Sequence, residues 1–260
     1  MLKMMISDVD DTLLRNSLSD ELKTAVKLAN ESGVEFVLCS GRPTFNLRKL
    51  AAEFNQFGAN VKYVSGFNGS EIIDLQNDQV IKSNGFTNSE IDEITKVLLD
   101  SDIDYGLYQS DTVIANNVSN EYAILEAELN DMNIAIHDSS IPSNKILGFS
   151  DPQITDEKVA LLKQHYPHLQ INKSKPFFIE ITKPGVNKAL PVKVLSELLN
   201  IDFENVAVCG DGDNDLAMFE LDVAYKFVVA NGSDNLKRYA NKIIPSVDDN
   251  GVAKQLMELI

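Results

Sequence analysis

Apolar positions along this chain follow two rhythms, and the boundary between them is crossed twice. Near the start, short mainly apolar runs cover residues 3–7, 34–39 and 61–65, interrupted by Glu35 and Lys62 and ending in Ser7 and Ser65. Short runs of that make-up, with no sustained polar alternation, predict strands buried on both faces. Between the first two, Leu22, Val26, Leu28 and Ala29 recur at helical spacing over 20–32, and Gly33 closes the segment. A second helix is predicted over 43–54. Ile72–Ile73 and Val80–Ile81 flank Gln76, Asn77 and Asp78, a turn composition, and predict a hairpin. Strand alternating with helix predicts a parallel α/β sheet.

The middle of the chain reads differently. Amphipathic or helical stretches over 88–99, 120–130 and 156–165 are set among short strand-like segments at 105–109, 112–115, 145–149, 169–172 and 177–181. Strands that follow one another closely predict an α+β module with an antiparallel sheet. Alternation then resumes. Helices are expected over 188–199, from 213 to 220, over 235–240 and over 252–260, with strands at 206–209, 223–229 and 243–244. The expected fold class is therefore α/β: a Rossmann-like parallel-sheet core from residues 1–82 and 184–260, interrupted by an inserted α+β module at 83–183. No internal repeat or low-complexity segment interrupts this pattern.

Composition narrows the function classes. With 23 Lys and Arg against 39 Asp and Glu, the formal net charge is −16, a poor match for a nucleic-acid backbone or an anionic membrane surface. No apolar run reaches the roughly 20 residues of a membrane span. The N-terminal stretch turns acidic too soon for a signal peptide. The two cysteines, Cys39 and Cys209, have no metal-type spacing and read as small buried hydrophobes of a reduced, cytoplasmic protein. An acidic protein that handles a phosphorylated metabolite needs a local positive site, and a bound metal supplies one.

The chemistry concentrates where apolar runs end. Asp8-Val9-Asp10-Asp11-Thr12 follows the first strand, and Gly210-Asp211-Gly212-Asp213-Asn214-Asp215 follows the strand at 206–209. The carboxyl ends of strands are where open α/β sheets bind ligands. Carboxylates gathered there repel unless a cation lies between them, and Mg²⁺ takes hard oxygen ligands while keeping water positions open. Either cluster alone could be a solvated acidic loop or a turn with a helix cap; two at equivalent strand ends point to one site. Neither is an EF-hand, since Leu216 and Leu13 stand where that loop needs Gly. GDGDND lacks the third glycine of a dinucleotide fingerprint. Ser40-Gly41-Arg42 offers a hydroxyl and free amides after the second strand, suited to phosphate oxygens. Lys188, at a helix start that the dipole makes unfavourable for a cation, is either a solvated surface lysine or the partner of a nucleophile and a phosphate. Asn68-Gly69 reads as a turn or as a supporting contact. His165 and His168, split by Pro167, and the isolated His137 are set aside as solvated, and Tyr105, Tyr108, Phe177 and Phe178 as core.

In this order, DVDDT, CSGR, the GVNK lysine and GDGDND resemble the four motifs of haloacid dehalogenase-like phosphatases. VVANGSDNLKRYA and DDNGVA resemble the Cof-type branch, whose inserted cap is of the C2B kind. Asp11 stands where many members carry Gly, and Ala189 where Gly is frequent. The resemblance implies a Mg²⁺-dependent phosphatase of small phosphorylated metabolites, sugar phosphates among them. It implies Asp8 as a nucleophile forming an aspartyl-phosphate, Asp10 as general acid and base, and Lys188 as the neutralising cation. Asp8, the backbone carbonyl of Asp10, Asp211 and Asp215 would hold the metal, Asp215 directly or at one remove. Ser40, Gly41, Arg42, Asn214, Thr12 and Asn68 would serve the substrate phosphate. Two alternatives stay open: phosphotransfer to a sugar acceptor, as in mutases, and a metal-dependent binding protein without turnover. No oligomeric state is implied.

Overall fold

The computed structural model describes residues 1–136 and 141–260; His137 lies outside the described residues. In chain order the first elements are β1 (Met4–Ser7), α1 (Asp20–Glu31), β2 (Glu35–Cys39), α2 (Thr44–Gln56), β3 (Tyr63–Gly66), β4 (Glu71–Asp74) and β5 (Gln79–Ser83). The middle holds α3 (Asn88–Asp100), β6 (Asp104–Gln109), β7 (Thr112–Ala115), α4 (Glu121–Leu129), β8 (Asn133–Ala135), β9 (Ile146–Phe149), α5 (Thr155–His165), β10 (Gln170–Lys175) and β11 (Phe178–Thr182). The last stretch holds α6 (Ala189–Leu199), β12 (Val206–Gly210), α7 (Leu216–Phe219), β13 (Tyr225–Val229), α8 (Asp234–Lys237), β14 (Lys242–Ile244) and α9 (Gly251–Leu259). The chain divides into two compact units, Met1–Lys82 with Asn187–Ile260, and Ser83–Val186.

The first unit is a sheet ordered β14-β13-β12-β1-β2-β3-β4-β5, parallel from β14 to β3 and antiparallel from β3 to β4. Side chains alternate across a strand, so Met5, Phe36, Leu38, Ala207 and Cys209 share one face while Met4, Ile6, Val37, Cys39, Val206 and Val208 share the other. The first face is covered by Leu22 and Val26 of α1, Leu47 and Phe54 of α2 and Val252 and Leu256 of α9. The second is covered by Val192 and Leu195 of α6, Met218 and Phe219 of α7 and Leu236 of α8. Burial on both faces is why these strands read as mainly apolar runs. From β1 the sheet grows one way to β2 and the other way to β12, and the carboxyl ends flanking such a reversal are where open α/β sheets bind ligands.

The second unit carries a sheet ordered β10-β11-β9-β6-β7-β8, antiparallel except where β7 meets β8. Ile91, Ile94 and Leu98 of α3 and Leu162 of α5 pack with Leu107, Ile146, Ile179 and Ile181 on one side of it. Thr87 caps α3: its hydroxyl accepts from Glu90 N–H, and the Glu90 carboxylate accepts from Thr87 N–H at 2.7 Å. The chain departs from expectation in three places, one of them the helix expected over 235–240, which is the one-turn α8 (Asp234–Lys237). β8 was not expected, because three residues carry no readable period. The helix expected over 213–220 is a 3₁₀ turn at Asp213–Asp215 followed by the one-turn α7; the side chain of Asp215 accepts from the backbone before it and tightens that turn.

Candidate active site

The register of the sheet brings the acidic loops and Ser40 to one edge. Asp8 is the first residue past β1, and its N–H still donates to Cys209 O at 2.9 Å, extending the β1–β12 register by one step. Asp211 follows β12 in the same way. Ser40, past β2, donates its N–H to Ser65 O at 2.9 Å. Adjacent parallel strands of matched register thus set Asp8, Ser40 and Asp211 along one edge.

Asp8 is buried, 4% exposed, and Lys188 and Asp215 are both 0% exposed. The Lys188 ammonium donates to Asp8 Oδ1 and, at 2.6 Å, to Asp215 Oδ1. Lys188 is therefore no surface lysine. Its placement before α6, against the dipole, is offset by two carboxylates. Asp215 Oδ2 accepts from Asp211 N–H at 2.9 Å and Gly212 N–H at 3.0 Å, so this one carboxylate fixes both the lysine and the loop. Gly210 is forced: a Cβ there would run into the Asp215 carboxylate. Thr12, 1% exposed, donates to Asp211 Oδ1 at 3.0 Å, with Asp8 Oδ2 at 3.4 Å.

Asp8, Asp211 and Asp215 each offer a carboxylate oxygen, and the three lie within 4.8 Å of one another. One ammonium faces three carboxyl groups. Burial raises the pKa of Asp8 well above the usual carboxylate range and the Asp215 charge adds to the rise, while Lys188 opposes it. Asp211 is raised by burial first and by Asp215 next. Burial lowers Lys188, but Asp215 and Asp8 outweigh it and hold the ammonium charged. A compact group of oxygen donors with uncompensated negative charge fits a hard divalent cation. Burial also pushes the Cys39 thiol up to about 12, so it stays protonated and unreactive.

The other expected residues are arranged around this centre. Asp10 is exposed and stands apart from the carboxylate cluster; the Arg42 guanidinium holds it. The Ser40 hydroxyl, 1% exposed, accepts from Arg42 N–H at 3.1 Å, which leaves its own proton free to donate. Asn68 lies against Gly41, where a Cβ would come 3.2 Å from Asn68 Oδ1. Phe67, Asn68 and Gly69 run through the left-handed region with φ of 51°, 56° and 96°, which is strained for Phe67. Gly69 packs so tightly on Asn187 O that a Cβ has no room. That turn therefore abuts the entry to α6 and Lys188. Asn214 is exposed on the 3₁₀ turn. Sequence reading assigned no part to Asn231, which ties three loops: its amide donates to Asp11 O at 2.7 Å and its carbonyl accepts from Val247 N–H at 2.9 Å. Nor to Ser233, whose N–H donates to Asp211 O at 2.7 Å. Both lie in the NGSDN stretch, a turn composition that marks a loop but not its partners.

Comparison with known proteins agrees with this geometry. Residues 5–256 match the family model of haloacid dehalogenase-like hydrolases. A Streptococcus pyogenes protein provisionally named a phosphatase is 28% identical over 100% of this chain and 98% of its own. The Bacillus subtilis 5-amino-6-(5-phospho-D-ribitylamino)uracil phosphatase YcsE is 26% identical over 98% of this chain and 94% of its own. A haloacid dehalogenase-like hydrolase from Bacteroides thetaiotaomicron superposes with a TM-score of 0.91 at 26% identity, covering 100% of both chains.

Proposed function

The chain belongs to the haloacid dehalogenase-like hydrolases, and within that family we propose that it is a Mg²⁺-dependent phosphatase of small phosphomonoesters, sugar and sugar-alcohol phosphates foremost. The observation that carries the reading is the buried contact of Lys188 with Asp8 beside Asp211. A carboxylate held in place, flanked by a fixed cation and by a second acid cluster from a distant part of the chain, is what a nucleophile toward a phosphate dianion requires. The phosphoribityl substrate in the name of the Bacillus subtilis relative supports the sugar-alcohol class.

Asp8, Asp211, the backbone carbonyl of Asp10 and the loop fixed by Asp215 would hold the ion. When bound, Mg²⁺ would neutralise charge on the transferring phosphoryl oxygens. Asp8 attacks phosphorus, and the bond to the leaving oxygen breaks as that oxygen takes a proton from Asp10. Water then attacks the aspartyl-phosphate, gives its proton to Asp10, and inorganic phosphate leaves Asp8. Lys188 opposes the loss of charge that burial imposes on Asp8 and balances the incoming phosphate. Asp215 does not react; it aims Lys188 and the Asp211 loop. The Ser40 hydroxyl and the Gly41 amide receive phosphate oxygens, with Asn68 and Asn214 at the edge. The Ser83–Val186 unit would be the inserted cap that the family resemblance implies.

A screen of sugar, sugar-alcohol and nucleoside phosphates with Mg²⁺ tests the reading through released phosphate. Asp8→Asn should lower turnover about 10³-fold or more while circular dichroism and Tm stay those of a folded protein. Normal turnover by that variant would sink the mechanism.

A further inference from the structure

From its position after Ser40 and Gly41, Arg42 reads as a phosphate ligand, yet its guanidinium is committed elsewhere. Nε donates to Asp10 Oδ2 at 2.9 Å and Nη2 donates to Asp10 Oδ1 at 2.5 Å. This is the two-pronged arrangement in which a planar guanidinium fixes the plane of a carboxylate. The pair spans two loops, and both backbones are anchored independently of it. Arg42 N–H donates to Ser40 Oγ at 3.1 Å, and Arg42 C=O accepts from Phe67 N–H at 2.9 Å. A Cβ on Gly66 would sit 3.0 Å from that carbonyl and 2.8 Å from Thr44 N, so the Arg42 backbone runs in close contact with the end of β3. On the other side, Asp11 N–H donates to Leu14 O at 2.9 Å, closing the loop that carries Asp10. With side-chain exposures of 30% for Arg42 and 50% for Asp10, the pair contributes little to folding. Its geometric effect is to fix the direction in which one carboxyl group points.

We propose that Arg42 is a positioning residue acting through Asp10: it keeps the Asp10 carboxyl aimed at the leaving oxygen, and gives up one prong of the fork when that carboxyl carries the proton to be passed. The proposal rests on the phosphatase reading above and assigns Arg42 to the leaving-group side of the reaction. In the step it serves, the Asp8–phosphorus bond forms, the phosphorus–oxygen bond of the ester breaks, and the Asp10 proton ends on the departing alcohol.

The two assignments for Arg42 separate by leaving group. A ligand of the transferring phosphate helps every phosphomonoester alike, since that group is common to all. A residue that works through Asp10 matters most where the leaving oxygen needs a proton. An alkyl ester needs it, whereas p-nitrophenolate leaves as a stable anion. The measurement is kcat/KM, which reads this first half-reaction. It compares p-nitrophenyl phosphate with an alkyl phosphate that the wild-type enzyme hydrolyses, for wild type, Arg42→Ala, Arg42→Lys and Asp10→Asn. Positioning predicts that Arg42→Ala loses about 100-fold on the alkyl ester and less than about 5-fold on the aryl ester, in parallel with Asp10→Asn. Arg42→Lys, which keeps the charge without the fork, should show the same ester dependence. Equal losses on both esters for Arg42→Ala, with Asp10→Asn still ester-dependent, would overturn the proposal and return Arg42 to the phosphate. So would full recovery of alkyl turnover in Arg42→Lys. Equal losses for Asp10→Asn itself would remove the acid assignment, and the proposal with it.

Discussion

Each unit of this molecule buries a lysine among carboxyl groups, and the two arrangements differ in how the charge closes. Lys145, in the second unit, donates to Glu180 Oε1 at 3.2 Å and lies 5.0 Å from the centre of the Tyr108 ring. Tyr108 in turn donates its hydroxyl to Glu126 Oε1 at 2.7 Å. Burial raises the pKa of Glu126, opposed by Lys145 and by the tyrosine hydroxyl. Burial lowers Lys145, but Glu180 and Glu126 more than reverse it. One cation thus faces one partly exposed carboxylate and one carboxyl pushed towards neutrality, and the group is nearly balanced. Lys188 faces Asp8 and Asp215, with Asp211 beside them. That group has a third carboxyl beside the two that hold the ammonium, and oxygen donors to spare. A buried ammonium does not by itself mark a site; the charge left over around it does.

Removing each ammonium breaks this comparison most directly. Lys188→Met leaves buried, uncompensated carboxylates and should cost about 3–5 kcal/mol, together with nearly all phosphatase activity. Denaturant unfolding followed by circular dichroism checks the first and phosphate release the second. Mg²⁺ should restore part of the lost stability, because an ion bound to the native state alone stabilises it by mass action and this variant has the most uncompensated charge. A Lys188→Met protein whose Tm ignores Mg²⁺ would show that the cluster does not hold the ion.

Lys145→Met should be milder, about 1–3 kcal/mol, since Glu180 keeps 22% of its side chain in solvent and can hydrate. Its Tm should respond to Mg²⁺ no differently from wild type. A response as large as that of Lys188→Met would make the second cluster a cation site as well and erase the distinction.

What the sequence disclosed follows the same line. The meeting of Asp8 with Asp211 was legible, because each follows an apolar run that can only be a buried strand, and the acid loops inherit the strand ends. So was the helical cover: Leu22, Val26 and Ala29 declare one face of α1. Lys188 was legible as the cation beside Asp8 only through the motif resemblance; its position alone left an exposed side chain open, because its partners lie 180 and 27 residues away. The Arg42–Asp10 fork, across 32 residues, left no local trace. Asp215 could be seen as an acid in a cluster, yet its work depends on two backbone amides that exist only once the 3₁₀ turn has closed. Periodicity reports which face is buried; it is silent on which charges are buried together.

The smallest expected effect sharpens the comparison from the surface. Glu90 is a carboxylate whose charge is compensated outside any core. It accepts from Thr87 N–H at 2.7 Å, and Lys183 lies 2.9 Å away. The backbone hydrogen bond from Thr87 first, then Lys183, lower its pKa to about 2. Because the folded value is depressed, the stabilisation is complete above the unfolded value near 4.5. It is lost as the pH falls from there through about 2. Glu90→Gln keeps an acceptor at the start of α3 but gives up the charge. Solvent screens a side chain that is 43% exposed, so the loss at neutral pH should be no more than about 1 kcal/mol. When unfolding is followed from pH 6 to pH 3, the difference from wild type should hold down to about 4.5 and shrink below it. Activity at neutral pH should not change, because no catalytic group touches this cap. A difference that stayed constant over that range would mean that Glu90 acts through packing, not charge. The acidic surface of the second unit would then differ in kind from the buried carboxylates of the first.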